Sequence, residues 1–179
     1  MHALYESLSQ SADCFPIVLL LVITVVCAGL FSARTEALRR NTSIGREKLL
    51  DARVWYDKAD AAWLLDHLGA WGRRLYAVTA VTLDLFFPLA YGLLLGLLIV
   101  RLWPPGQAWL LILPLVTVIA DLLENFTIAT MIWAYREGEE PALASQAAVF
   151  TLTKWVFFVL SLLAVLVGLV RALARITCC

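Results

Sequence analysis

The sequence predicts an all-α, polytopic membrane protein: a four-helix transmembrane bundle with a short interfacial amphipathic helix. Three observations predict it. Residues of the set AVILMFWYC make up 62% of the 179-residue chain, against roughly 45–50% in typical soluble proteins even with Gly counted. Charged residues are 16%, against about 25% typically, and the mean hydropathy is +0.84. Four apolar segments, about 15–33, 76–103, 107–135 and 145–176, reach spanning length; a span takes roughly 20 residues at the helical rise of about 1.5 Å. A soluble globule of this size cannot hide so much apolar surface, and disordered chains are poor in it. No segment has the period-2 alternation of a barrel strand, so the spans are helices. The length fits a single membrane domain, 1–179.

The first segment reads as a true span. Residues 1–14 hold Glu6 and Asp13 and no Lys or Arg, whereas a signal peptide opens with a basic stretch. The connector after it, 34–75, carries nine of the fourteen basic residues, from Arg34 to Arg74. The positive-inside rule places it in the cytoplasm and both termini outside, in a cell (inner) membrane. Counting Arg136, ten basic residues lie inside and three, Arg101, Arg171 and Arg175, outside. Within the connector, Asp57 and Asp60 form an N-terminal signal and Leu64, Leu68, Trp71 and Leu75 share one helical face. An amphipathic helix over about 57–73, on the cytoplasmic interface, follows. Gly69 and Gly72 favour a bend between it and span two; an unbroken extension of that span is the alternative. Pro104-Pro105-Gly106 makes a tight turn between spans two and three.

Charges inside the apolar segments are the informative feature. Span two holds Asp84, span three Asp121, Glu124 and Asn125, and span four Lys154. An ionisable group at the bilayer centre costs from about 2.5 to over 10 kcal/mol, so such groups face the bundle interior and pair. Asp84 stands ten residues past Arg74, roughly 15 Å along a helix, and Glu124 twelve before Arg136, roughly 18 Å. Lys154 and Asp121 fall roughly 21 and 22 Å from their markers Glu140 and Arg136. The depths agree, so helices two, three and four converge on one polar cluster. Facing agrees too: Asp84 shares a face with Pro88 and Tyr91, Asp121 with Glu124 and Asn125, and Lys154 with Thr151, Phe158 and Ser161. Pro88 has no N–H and frees the carbonyl of Asp84. Lys154 is expected beside Glu124 before Asp121, with Asp84 as third member.

The candidate buried site is therefore Asp84, Tyr91, Asp121, Glu124, Asn125, Thr151 and Lys154. Three acids and one Lys give a formal −2. Like charges one helical turn apart resist joint ionisation, so at least one acid holds a proton or a cation sits there. Three functions fit: helix assembly, binding or transport of a proton or small cationic solute, and a membrane-embedded enzyme acting on a lipid through carboxylate acid/base chemistry. The only histidines, His2 and His67, lie outside the spans, which removes a His-held zinc, a haem pair and the usual catalytic base. Ser161 and Lys154 stand about 10 Å apart along a helix, too far for a dyad. No phosphate-cradling glycine motif occurs, so no cofactor, no metal and no nucleic-acid partner is expected.

Lesser signals read as follows. The basic connector suits anionic lipid headgroups but is first a topology signal. Gly92 and Gly96 form a small-residue packing face, within the chain or toward a partner or second copy. Asn41-Thr42-Ser43 is a glycosylation sequon on the cytoplasmic side and so silent. Cys14 and Cys27 pack as small apolar residues. Cys178-Cys179 resembles a lipidated tail but does not fit a prenylation box.

Overall fold

The computed structural model describes residues 1–177; Cys178 and Cys179 lie outside the described residues, and the lipidated-tail reading with them. The described chain is helical without strands, and four of its helical stretches are long and apolar enough to cross a membrane.

Helix α1, His2–Gln10, was not anticipated from the sequence. Its Tyr5 hydroxyl reaches the carbonyls of Trp103 at 2.9 Å and Val100 at 3.3 Å, groups that the end of a helix leaves unpaired. Helix α2, Cys14–Asn41, continues past the expected end at residue 33. The extra turns carry an Arg40–Glu36 pair at 2.7 Å in i,i+4 register. Cys27, Arg34 and Leu38 form its buried stripe.

The connector does not stay on the surface. Around a 3-10 turn at Leu50–Ala52, the side chains of Leu49, Leu50 and Tyr56 are at most 1% exposed. They pack with Leu38, Leu64, Tyr76 and Ile128 in one core. Helix α3, Lys58–Ala80, opens on a capping box in which Asp57 and Asp60 each accept the other's backbone N–H. The helix expected over 57–73 instead bends sharply at Gly69 (φ 59°, ψ 179°), a conformation that favours glycine. Beyond the bend, Arg73 donates to the Leu65 carbonyl at 3.0 Å, an acceptor of the turn that the bend ends. Leu64, Leu65 and Leu68 are buried, while Trp63 and Trp71 point outward.

Span two, expected unbroken from Tyr76, is interrupted at Val81–Thr82. Thr82 leaves helical geometry (φ −120°, ψ −82°), and its hydroxyl donates to the Val78 carbonyl at 2.7 Å. Helix α4, Leu83–Leu102, therefore starts anew with Asp84 in its first turn, where free N–H groups favour a carboxylate. A 3-10 stretch, Pro105–Leu111, leads into α5, Ile112–Ala134, so the third segment turns regular five residues later than expected. Helix α6, Ala144–Thr177, runs along α5. A Cβ on Gly92 would come within 2.1 Å of Val118 Cγ2, so this packing face serves α4 against α5.

The bundle has two distinct ends. At one, Arg73 meets Glu137 at 2.8 Å and Tyr135 donates to Asp66 at 2.7 Å. At the other, Arg101 donates to the Ala12 carbonyl at 2.7 Å, Trp103 to the Ala164 carbonyl at 3.1 Å, and Arg171 covers the Trp103 ring at 4.5 Å. Both ends of the described chain share this second end.

Candidate functional site

All seven residues singled out in the sequence meet in the half of the bundle nearer the connector. Lys154 of α6 is 8% exposed; its ammonium pairs with the Glu124 carboxylate and donates to Asp121 Oδ1 at 3.5 Å and to the Asp51 carbonyl at 3.2 Å. Glu124 is fully buried and its Oε1 lies 2.7 Å from Thr151 Oγ1. Tyr91 donates to Asp121 Oδ2 at 2.6 Å. Asn125 donates to Asp121 Oδ1 at 3.3 Å and to the Asp84 carbonyl at 2.9 Å. That carbonyl is the one Pro88 cannot serve, so the side chain of α5 replaces a backbone bond missing from α4.

Asp84, expected as the third member of the cluster, pairs with Arg34 at 3.1 Å. Arg34 was counted among the connector's topology charges, but it is 7% exposed and faces inward from α2. It also holds Asp51 at 2.9 Å and donates to Thr79 at 3.3 Å, and its guanidinium lies over the rings of Phe31 and Tyr76 at 4.8 and 5.3 Å. The Tyr76 hydroxyl donates to Asp51 Oδ1 at 2.7 Å. Asp51 joins the two halves of the network, its carboxylate on Arg34 and its carbonyl on Lys154. Trp155 anchors the same segment by donating to the Arg53 carbonyl at 2.9 Å.

Arg34, Asp51 and Tyr76 are thus members that sequence reasoning missed. One signal pointed to Arg34: it continues the stripe from Cys27 to Leu38 at helical spacing. Nothing local marks Asp51, since a charge in a polar connector is ordinary.

Burial alone would lift the Asp51 carboxyl; the Arg34 guanidinium, and after it the Lys154 ammonium, hold it below the ordinary carboxylate range. Four carboxylates, on Asp51, Asp84, Asp121 and Glu124, face two cations, Arg34 and Lys154, so the formal charge of the enlarged network is again −2. Beyond Tyr91, toward the far end, Leu95, Ile99, Leu111 and Val165 are buried together, and the buried hydroxyls of Thr117 and Ser161 donate back to the Leu113 and Phe157 carbonyls of their own helices.

Three cavities lie elsewhere. One of about 200 Å³ is lined by Leu4, Leu8, Gly92, Gly96, Pro114 and Val118 among others, one of about 360 Å³ lies beside Gly69, and one of about 120 Å³ lies beside Tyr135. No network residue lines any of them. Among the described residues no three His, Cys, Asp or Glu side chains converge as a metal requires.

Compared with known protein families, curated proteins and solved structures, the chain matches none.

Proposed function

We propose that the chain is a small multi-pass membrane protein whose interior ion network assembles the bundle and holds two exchangeable positive charges, carried as protons on its carboxyls. The charge count is the observation that carries this reading: four carboxylates, three buried and that of Asp51 half-buried, against two buried cations. Two uncompensated anions in low dielectric cost far more than protonating them. The absence of any metal-like convergence of donors among the described residues favours protons over a divalent ion.

Assembly follows from the membership. The network draws on α2, the connector, α3, α4, α5 and α6, and each element brings a polar group that apolar surroundings leave only one another to satisfy. Solute transport across the bundle gains less support, because the buried hydroxyls beyond Tyr91, on Thr117 and Ser161, are bonded back to carbonyls of their own helices among apolar neighbours.

Orientation belongs to the same proposal. With Arg34 withdrawn into the network, nine basic residues remain at the connector end against three at the other. The positive-inside rule then puts the connector in the cytoplasm and both termini outside.

Infrared spectroscopy of the purified protein at neutral pH tests the reading. A protonated-carboxyl C=O band is expected, reduced by Glu124→Gln or Asp121→Asn. A spectrum with every carboxyl ionised would sink it.

A further inference from the structure

The connector end carries a polar cavity that the ion network does not use. It has about 360 Å³ and lies where α2 ends and α3 bends, with Asn41, Thr42 and Ser43 on one side and Asp66, His67 and Gly69 on the other. Ligand sites run from roughly 300 to 1,000 Å³, so this one suits a small group. The Ser43 N–H donates to the His67 carbonyl at 3.1 Å and ties the two sides together. The side-chain donors are mostly spent elsewhere. Asn41 Nδ2 donates to the Ala37 carbonyl at 2.8 Å and the Thr42 hydroxyl to the Leu38 carbonyl at 2.7 Å. His67 Nδ1 stands 2.7 Å from the Trp63 carbonyl, which can only accept, so Nδ1 carries the proton and Nε2 of the neutral ring is an acceptor. Asp66 Oδ1 takes the Tyr135 hydroxyl at 2.7 Å, which leaves Oδ2. These residues therefore keep acceptors to offer: Asn41 Oδ1, Asp66 Oδ2 and His67 Nε2. Two helix ends add negative partial charge, since α2 stops at Asn41 and the first half of α3 at the Gly69 bend. The neighbouring guanidinium groups are engaged elsewhere, Arg73 with Glu137 and the Leu65 carbonyl, Arg40 with Glu36, and Arg39 with the Arg46 carbonyl.

We infer that this cavity binds a primary ammonium group, the amine headgroup of an inner-leaflet phospholipid. A primary ammonium brings three N–H donors and a positive charge to a site that offers acceptors and negative charge. The lipid source follows from the surroundings. The Trp63 ring stacks on His67 at 4.1 Å, and Trp63 and Trp71 are 40% and 52% exposed, as tryptophans at a membrane–water interface are. A phospholipid that places its amine here carries a phosphate beside it, and the connector end is the basic end of the chain. The inner-leaflet placement rests on the orientation proposed above, and not on the protons of the network.

Native mass spectrometry of the whole purified chain in detergent tests this, with phosphatidylethanolamine or phosphatidylcholine of identical acyl chains added. The trimethylated amine of the second lipid has no N–H to give. Phosphatidylethanolamine should be retained about tenfold better, the least that one hydrogen bond to a charged group is worth. Asp66→Asn keeps an acceptor for Tyr135 but removes the charge, and it should erase the preference. His67→Phe keeps a ring to stack on Trp63, should do the same, and carries the test if Asp66→Asn fails to fold. Equal retention of the two lipids, or an unaltered preference in the folded variants, overturns the inference. Free ethanolamine binding as tightly as the lipid would make the ligand a soluble amine and overturn the lipid assignment. Displacement of the lipid by manganese chloride, lost in His67→Phe, would make this a metal site and overturn it as well. None of these outcomes touches the protonated-carboxyl band, so failure here and failure of the proposed function are read separately.

Discussion

The Arg34 guanidinium bridges two carboxylates far apart in the chain, Asp51 at 2.9 Å and Asp84 at 3.1 Å, and so ties the connector to the start of α4. Arg34→Met strands Asp51 and leaves Asp84 without its partner in the interior. Breaking a buried pair from one side costs about 3–5 kcal/mol, so unfolding in detergent should come earlier by that amount. Arg34→Lys should recover only part of it, because an ammonium lacks the planar fork that meets two carboxylates at once. Wild-type stability in Arg34→Met would show that the bridge contributes nothing.

The Lys154–Glu124 pair predicts strong non-additivity. Lys154→Met alone leaves carboxylates uncompensated and should cost about 3–5 kcal/mol. Lys154→Met with Glu124→Gln removes both members of the pair and should cost less than Lys154→Met alone. A double-mutant cycle read by detergent unfolding decides it; strict additivity would mean that the two residues do not interact.

Much of this network was legible before any fold was known, and the boundary of what was legible has a physical origin. Asp84, Asp121, Glu124, Asn125 and Lys154 stood out because a charge or amide in an apolar run is expensive and rare. Tyr91 and Thr151 followed from helical spacing. Arg34 and Asp51 stayed hidden because they lie just outside the apolar runs, where charges are ordinary, and Tyr76 because an aromatic at the edge of a span is ordinary. Only the inward dip of the connector brings Asp51 between Arg34 and Lys154. The break at Thr82 was hidden for a similar reason: neither Gly nor Pro stands there, and the hydropathy runs through it. Gly69, by contrast, announced its bend.

Asp51 sets the acid limit of stability. Its folded carboxyl is held below the ordinary value, so it binds fewer protons folded than unfolded at low pH. Its contribution is complete above the unfolded pKa, near about 4, and is lost as pH falls through the lower folded value. Stability should therefore drop on the acid side of about pH 4, and Asp51→Asn should flatten that drop. An equally steep acid limb in Asp51→Asn would remove Asp51 from the account.

Close packing between α4 and α5 depends on Gly92. An added Cβ would stand 2.1 Å from Val118 Cγ2, so Gly92→Ala should cost about 1–3 kcal/mol through overpacking. Val118→Ala removes the clashing methyl and should restore part of the loss. Gly92→Ala with unchanged unfolding would show that the helices separate freely there.

Counting protons released on unfolding tests the central claim most directly. The folded network, with four carboxylates against two cations, is held to carry two protons at neutral pH. Unfolded carboxyls, with pKa values near about 4, keep none. Unfolding the purified protein at pH 7 in weakly buffered detergent, with a pH indicator, should release two protons per chain. Release of none would mean that the buried carboxylates are all ionised, and would contradict the account.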